Sequence, residues 1–251
     1  MELIILGSGT CVPSKRRGSP GLVIRAGRKI LLFDSGSGTL GKLIQIGISY
    51  MDIDYIFYSH IHPDHVIDLV PFLFTCKYGD AMREKDIQIV AGKGFKDFFR
   101  RLKNVYGEWI EPSSYCLTLK EITDERISCG AINIIGKPMA HIRESIGYRI
   151  ESGDGRSIVF SGDTDYCRNI VDLAEEADLL VLECSFPNEM KVAGHLTPSL
   201  AGRIASESRC KKLILTHFYP PCDSVDILSQ CKEVFDGEII LAEDLMKIRV
   251  S

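Results

Sequence analysis

Three of the six histidines of this chain lie close together in the segment "SHIHPDHVIDL" at 59–69, directly behind the apolar run "DYIFY". In an extended segment, residues i and i+2 point to the same side, so His60 and His62 can bind one ion. Asp64 and His65 follow a proline and can turn toward a neighbouring ion. Imidazole and carboxylate groups suit zinc. Burying these imidazoles beside carboxylates is costly without a cation, which favours a metal site.

Four more residues of the same chemical kinds lie at the ends of predicted strands or just before a predicted helix. They are His141 after "INIIGKPMA", Asp163 at the end of "RSIVFSGD", His217 at the end of "KLILTH" and His195 before "TPSLAGRIASES". Sheet-rich folds with helical covers build sites beyond their strand ends. Each of these histidines taken alone also fits a structural role, and the 60–65 cluster is what favours a shared site. Leaving His195 aside, seven candidate ligands with one carboxylate able to bridge imply two ions.

Apolar runs between turn residues predict the elements that position these groups. Strands are predicted at 3–6, 21–26, 29–34, 54–59, 86–92, 132–140, 145–152, 156–163, 178–183 and 212–217. Helices are predicted at 38–47 with Gly47 closing the helix, at 65–78 with a kink or break at Pro71, at 94–107, and at 197–208 with Thr197 as cap and Pro198 in the first turn. This order predicts two packed β-sheets with helices outside, in one domain spanning 1–251.

The composition is that of an ordinary soluble protein, with 45% hydrophobic and 25% charged residues among 251. No apolar run approaches the roughly 20 residues that cross a bilayer, and the N-terminus resembles a buried strand rather than a signal peptide. We therefore expect no membrane partner. The nine cysteines show no Cys-x-x-Cys spacing, which favours reduced thiols and a cytoplasmic location. A net charge of −4 argues against general nucleic-acid affinity.

The segment "HIHPDH" matches position by position the His-x-His-x-Asp-His signature of the metallo-β-lactamase superfamily, which this chain resembles. The segments "DSGSGT" at 34–39, before this signature, and "AH" at 140–141, "SGDT" and "LTHF" after it, occur in the order that the superfamily shows. Within it, the chain is most similar to the ribonuclease Z branch and its phosphodiesterase relatives, through "LGSGTCVPSKRRGSPG", "DLLVLECSFPNE" and "GHLTP". The resemblance implies a four-layer α/β fold, the αβ/βα sandwich, and agrees with the predicted elements.

The resemblance also implies a role for each matching residue. The first ion would be held by His60, His62 and His141, the second by Asp64, His65 and His217, and Asp163 would bridge them. His195 matches the extra histidine of the branch, which acts near the leaving group. The branch is often dimeric, so a homodimer is one candidate assembly. Zinc is the favoured metal, with manganese and iron as open alternatives.

The same branch carries a long arm that clasps tRNA between the residues matching His141 and Asp163. Only residues 142–162 lie there in this chain, and a predicted hairpin fills them. Pre-tRNA 3′ processing is therefore left open, and the substrate is predicted only as a phosphodiester, RNA or a nucleotide being the candidates.

The predicted reaction is phosphodiester hydrolysis with two zinc ions. A hydroxide formed from water between the ions would attack phosphorus, and His195 would protonate the departing oxygen. Asp64, His195 and Glu183 are the predicted catalytic residues. Glu183, at the end of "DLLVLE", is the candidate partner that keeps His195 protonated, although a solvated strand-end carboxylate is an equal alternative.

A basic loop near the N-terminus is the candidate substrate-binding segment. Lys15, Arg16 and Arg17 fall in a stretch without acids, so they could hold substrate phosphates, or simply be solvated. Three other functions stay open. The first is hydrolysis of a carboxylic ester, lactone or thioester at the same metals, the second is metal-dependent binding without turnover, and the third is oxygen or sulfur chemistry at iron.

Overall fold

Fourteen strands, seven α-helices and four short 3-10 helices make up the structure, a computed structural model that describes residues 1–250. The strands are β1 (Glu2–Gly7), β2 (Gly21–Ala26), β3 (Lys29–Phe33), β4 (Tyr55–Tyr58), β5 (Ile87–Gly92), β6 (Leu117–Ile122), β7 (Glu125–Cys129), β8 (Ile132–Pro138), β9 (Ile146–Ser152), β10 (Ser157–Phe160), β11 (Leu179–Glu183), β12 (Lys212–Thr216), β13 (Glu238–Leu241) and β14 (Lys247–Arg249). The helices are α1 (Thr39–Gln45), α2 (Pro63–Val66), α3 (Leu69–Tyr78), α4 (Phe95–Tyr106), α5 (Arg168–Leu173), α6 (Pro198–Ser208) and α7 (Ile227–Lys232). Within residues 1–250, none of the helices has the length and apolar character needed to cross a bilayer.

The strands form two seven-stranded sheets with the orders β14-β1-β2-β3-β4-β5-β6 and β13-β12-β11-β10-β9-β8-β7. Both sheets are mixed. Strands β3 to β6 run parallel in the first, and β10 to β13 run parallel in the second. The prediction of two packed sheets flanked by helices, the αβ/βα sandwich, is confirmed.

The alternation of apolar side chains along the first strand shows how the layers share the core. Leu3 and Ile5 belong to the apolar cluster between the sheets, whereas Ile4 and Leu6 belong to a second cluster under α1, α3 and α4. All four side chains are almost completely buried. A strand covered on both faces needs apolar residues throughout, which explains the uninterrupted run "LIIL".

Aromatic side chains join the two sheets close to the ends of β3, β4 and β10. The rings of Phe33 and Phe57 stack at 4.7 Å in the first sheet. Tyr148 and Phe160 of the second sheet meet Phe33 edge-on at 5.6 and 6.1 Å. The Tyr148 hydroxyl donates to the carbonyl oxygen of Tyr58 at 2.7 Å, so the sheets are tied together next to the residues that follow β4.

Several details differ from the predicted elements. Helices α5 and α7 were not predicted. The chain breaks its helix at residues 67–68, between α2 and α3, and Pro71 lies in the first turn of α3, where a proline costs no backbone bond. Strands β6, β7, β13 and β14 were not predicted, because their half-polar sequences, such as "LTLKEI" and "ERISC", lack a clear apolar pattern. All nine cysteines are free.

The carboxylate of Asp244 ties the C-terminal segment to the loop behind β1. It accepts hydrogen bonds from the backbone amides of Ser8 and Gly18 at 2.9 and 2.8 Å, and it lies 2.6 Å from the Lys42 ammonium. Burial acts to raise the pKa of Asp244, but these donors outweigh it and lower the pKa below the usual 3.8. The native state therefore favours the ionised carboxylate.

We expect Asp244→Ala to lower the free energy of unfolding at pH 7 by about 1–3 kcal/mol, because buried amides lose their acceptor. A group with a lowered native pKa stabilises above its unfolded pKa, and this contribution is lost as the pH falls below about 4. In urea titrations of metal-stripped protein, the difference in the free energy of unfolding between wild type and variant should therefore become smaller as the pH is lowered. Asp236→Ala, at an exposed acid, is the matched control. Equal stability of Asp244→Ala and wild type at pH 7 would contradict this role.

Candidate metal centre

The turn after β4 carries four potential metal ligands and changes direction between them. His62 has an extended backbone (φ −63°, ψ 147°), as favoured before a proline, and Pro63 then begins α2. Asp64 and His65 lie in the single turn of α2, whereas His60 and His62 precede it. This change of direction separates the four side chains into two pairs.

The two pairs meet different partners from the second sheet. Donor atoms of His60, His62, His141 and Asp163 lie within 4.8 Å of one another, as do donor atoms of Asp64, His65 and His217. Asp163, His195 and His217 form a third such group. The structure thus brings together every residue that the sequence analysis named as a candidate ligand.

Asp163 lies between the two groups with one oxygen facing each. Its Oδ1 is 3.4 Å from His65 Nε2 and 3.5 Å from His217 Nε2. Its Oδ2 is 3.7 Å from His60 Nε2 and 3.9 Å from His141 Nε2. A carboxylate in this position can donate one oxygen to each group.

Two buried atoms at the centre support a cation site. His60 Nε2 and Asp163 Oδ1 are enclosed and have no hydrogen-bond partner among the described residues. A buried polar atom without a partner is costly, and both atoms are ordinary metal donors. The residues present therefore fit divalent metal binding.

The electrostatics of the centre agree with that use. Burial, together with the neighbouring His65, lowers the pKa of His60 well below 6.5, which leaves a neutral imidazole. Burial acts to raise the pKa of Asp163, but the surrounding imidazoles, His217 first, hold it well below 3.8. The neutral imidazole of His60 and the ionised carboxylate of Asp163 are protonation states that metal binding requires. Burial acts to lower the pKa of His65, but Asp163 and Asp34 outweigh it and raise the pKa well above 6.5, so an ion would have to displace a proton from that ring.

Further polar groups hold the ligands in place. The Asp34 carboxylate, behind β3, lies 2.7 Å from His65 Nδ1, so the opposite nitrogen of that ring points into the centre. The Gly194 carbonyl oxygen accepts from His141 Nδ1 at 2.9 Å. The backbone amide of Cys11 donates to Asp64 Oδ2 at 3.1 Å. Such contacts orient the residues that bind a metal directly and increase the basicity of their donor atoms.

His195 lies at the edge of the centre and is held by Glu183. Its Nδ1 is 2.9 Å from Glu183 Oε1 and 4.0 Å from Asp163 Oδ2. Burial acts to lower the pKa of His195, but the Glu183 carboxylate outweighs it and raises the pKa above 6.5. Glu183 itself is 1% exposed, so it is a buried partner of His195 and not a solvated strand-end carboxylate.

The three cations of the basic loop differ in their exposure and contacts. Lys15 and Arg16 are exposed. The Arg17 guanidinium is turned inward, bonded to Asp223 and lying 4.3 Å above the centre of the Phe218 ring. Substrate binding by this loop stays a prediction, and a contribution from Arg17 would require these contacts to break.

The sequence analysis missed three buried residues of the centre: Asp34, Ser59 and Ser185. Asp34 lies in the quoted segment "DSGSGT", and its position just behind a strand was the one signal available. The two serines lie beside residues that were singled out, but a serine has no spacing rule that marks it as part of a metal centre.

Comparison with known proteins agrees with this geometry. The family model for the beta-lactamase superfamily domain matches residues 30–218, which include all the candidate ligands. The chain belongs to the beta-lactamase superfamily. The resemblance predicted from "HIHPDH" is therefore confirmed.

Relatives along the whole chain are also similar. The ribonuclease Z of Archaeoglobus fulgidus is 26% identical, over 100% of this chain and 98% of that protein. The metallo-beta-lactamase fold protein YhfI of Bacillus subtilis superposes with a TM-score of 0.85 at 25% identity, covering 98% of both chains. The short form of human tRNase Z superposes with a TM-score of 0.81 at 26% identity, covering 100% of both chains. With the fold and the cluster of ligands, these relatives identify a metal-dependent hydrolase.

Proposed function

We propose that this protein is a phosphodiesterase that uses two zinc ions, in one domain spanning 1–251. The observation that carries the proposal is the position of Asp163, whose two oxygens face two separate groups of donors. A single ion would leave one of these groups without a cation. The relatives named ribonuclease Z and tRNase Z support phosphodiester chemistry.

The ligand set follows from the two groups. His60, His62 and His141 would hold one ion, Asp64, His65 and His217 the other, and Asp163 would serve both. When bound, divalent cations lower the pKa of water toward about 7 and stabilise negative charge that develops on a phosphoryl group. Nitrogen-rich ligand sets favour zinc over magnesium or calcium.

His195 and Glu183 supply the proton that the leaving group needs. Because Glu183 accepts from Nδ1, the other ring nitrogen of His195 is directed away from this carboxylate and can donate to a departing oxygen. The raised pKa of His195 keeps the imidazolium populated near neutral pH. The Asp64 carboxylate, held by the Cys11 amide, is the remaining catalytic residue of the proposal, and it acts as a ligand of the second ion.

The segment between His141 and Asp163 bears on the substrate, because the tRNA-clasping arm of the ribonuclease Z branch would lie there. It contains β9, a turn and β10, and adds no arm beyond the sheet. Lys15 and Arg16 are the exposed cations that we propose for phosphate binding at the rim. RNA and nucleotides both carry the required linkage. A cytoplasmic location and a homodimer remain predictions.

Metal analysis followed by a substrate panel tests the proposal. We expect two zinc ions per chain and cleavage of bis-p-nitrophenyl phosphate with a higher kcat/KM than that for a lactone, since the two ions would stabilise the negative charge that develops on a phosphoryl group. The panel should include 2′,3′- and 3′,5′-cyclic nucleotides and pre-tRNA, which separate nucleotide from RNA substrates. Equal rates on lactone and phosphodiester would favour the ester hydrolase, and bound metal without turnover would favour the binding function.

A further inference from the structure

Two buried carboxylate–serine pairs flank the centre, one from each sheet. In the first pair, Ser59 Oγ lies 2.7 Å from Asp34 Oδ2. In the second, Ser185 Oγ lies 2.6 Å from Glu183 Oε2. All four residues are at most 1% exposed, so water does not compete for these hydrogen bonds.

Each pair contacts two imidazoles, one mainly through the carboxylate and the other through the serine. The serine oxygen also lies 3.5 Å from His65 Nδ1 in the first pair and 3.2 Å from His195 Nδ1 in the second. Asp34 binds His65 directly, and Ser59 Oγ lies 3.0 Å from His60 Nδ1. Glu183 binds His195 directly, as described above. Ser185 Oγ lies 3.0 Å from His217 Nδ1. The two halves of the centre therefore repeat one arrangement.

The number of protons in each pair determines the direction of these bonds. A serine hydroxyl has one proton, and an ionised carboxylate can only accept. The short contacts at 2.6 and 2.7 Å place the serine proton on the carboxylate side, as a charge-assisted hydrogen bond. Each serine oxygen can then only accept from its imidazole, so Nδ1 must carry the ring proton. In that tautomer Nε2 keeps its lone pair for a metal ion.

We propose that Ser59 and Ser185 are positioning residues that fix the tautomers of His60 and His217 before metal binds. This inference rests on the proposed ligand set, and it deepens that proposal by assigning each serine to one ion. Ser59 acts on the group with His62 and His141. Ser185 acts on the group with Asp64 and His65.

Each alanine variant should remove the hydroxyl that accepts from the imidazole Nδ1, while the neighbouring carboxylate keeps its other hydrogen bonds. In Ser59→Ala, Asp34 Oδ1 still accepts from the residue 59 amide at 2.7 Å. In Ser185→Ala, Glu183 still accepts from the backbone amides of Thr164 and Leu196 at 2.9 and 3.1 Å. In each variant the imidazole Nδ1 loses its acceptor. Free histidine prefers its proton on Nε2, and a protonated Nε2 has no lone pair to bind the ion.

The first measurement is ¹⁵N NMR of histidine-labelled, metal-free protein at pH 8. We expect His60 and His217 of the wild type each to show a protonated Nδ1 that is lost selectively, that of His60 in Ser59→Ala and that of His217 in Ser185→Ala. His65, His141 and His195, whose Nδ1 atoms face other acceptors, should keep theirs. The conservative variants Ser59→Thr and Ser185→Thr, which keep a hydroxyl, should retain it. A wild-type protein in which His60 or His217 carries its proton on Nε2 overturns the inference, even if the alanine variants fail to fold.

The second measurement is zinc affinity by chelator competition. Each alanine variant should bind one of the two ions roughly 10–100-fold more weakly and the other within about twofold, because outer contacts are worth that much to a metal site. Ser157→Ala is the matched control, since Ser157 is a buried serine beside the carboxylate of Asp178 with no imidazole there. Equal weakening of both ions in each variant, or in the control, would overturn the assignment.

Failure of this inference is distinguishable from failure of the proposed function. The tautomers are measured without metal or substrate. A protein that cleaves no phosphodiester can therefore still show His60 and His217 with a protonated Nδ1. Conversely, phosphodiesterase activity in a protein whose His60 or His217 carries its proton on Nε2 would support the proposed function and contradict this inference.

Discussion

Replacement of His195 by alanine is expected to lower kcat on an unactivated phosphodiester by about 10²–10⁴-fold, the usual contribution of a positioned general acid. The zinc content should stay at the wild-type value, because His195 has its Nδ1 committed to Glu183 at 2.9 Å and is outside the proposed ligand set. The measurement is kcat at saturating substrate together with metal analysis of the same preparation.

The leaving group provides the control for His195→Ala. A p-nitrophenolate leaves without a proton, so the variant should lose much less activity on bis-p-nitrophenyl phosphate than on a substrate with an alkoxide leaving group. Equal losses on both substrates would contradict the role of His195 as the acid, and would point to a role in binding or in metal retention.

The pH profile tests the partner, Glu183. Burial acts to lower the pKa of His195, and the Glu183 carboxylate raises it above 6.5. The imidazolium is present below that pKa and is lost as the pH rises through it, so the high-pH limb of kcat reports it. Glu183→Gln should move this limb to lower pH. An unmoved limb would assign it to another group.

The fold and the candidate ligands were predictable because several separate features of the sequence indicate them. Five of the candidate groups are histidines next to strand ends, and "HIHPDH" places three of them in one segment. Strands such as "DLLVLE" were recognisable because both of their faces are covered, which leaves almost no polar residue in the run. The convergence of Asp163 and His217 on residues 60–65 followed from the family resemblance and from their strand ends.

The outer contacts were not predictable, for a physical reason. Ser59 and Ser185 act through one hydroxyl each, and their importance depends on a carboxylate that lies 25 residues away in one case and two in the other. Arg17 looked like an exposed cation in a basic loop. Only the tertiary structure shows that Asp223 and Phe218, from the far end of the chain, hold its guanidinium.

Removal of the Asp163 carboxylate is expected to have the second large effect. In Asp163→Ala both donor groups lose their shared oxygen ligand, so the affinity for each ion should fall by more than the roughly 10–100-fold typical of outer contacts. Turnover should fall to background with it. In Asp163→Asn, one side-chain oxygen remains, and the amide directs its NH₂ donor toward the other group of imidazoles.

The stoichiometry distinguishes these variants, because Asp163 Oδ1 and Oδ2 face different groups at 3.4–3.9 Å. We expect Asp163→Asn to bind one zinc ion tightly where the wild type binds two, as measured by titration against a chelator of known affinity. Asp178→Asn is the matched control, since this partly buried aspartate directly precedes β11, at the opposite end of the same sheet, and accepts from the Ser157 amide at 2.8 Å. Two tightly bound ions in Asp163→Asn would show that no shared carboxylate is needed, and the proposed dinuclear centre would then have to be abandoned in favour of two independent sites.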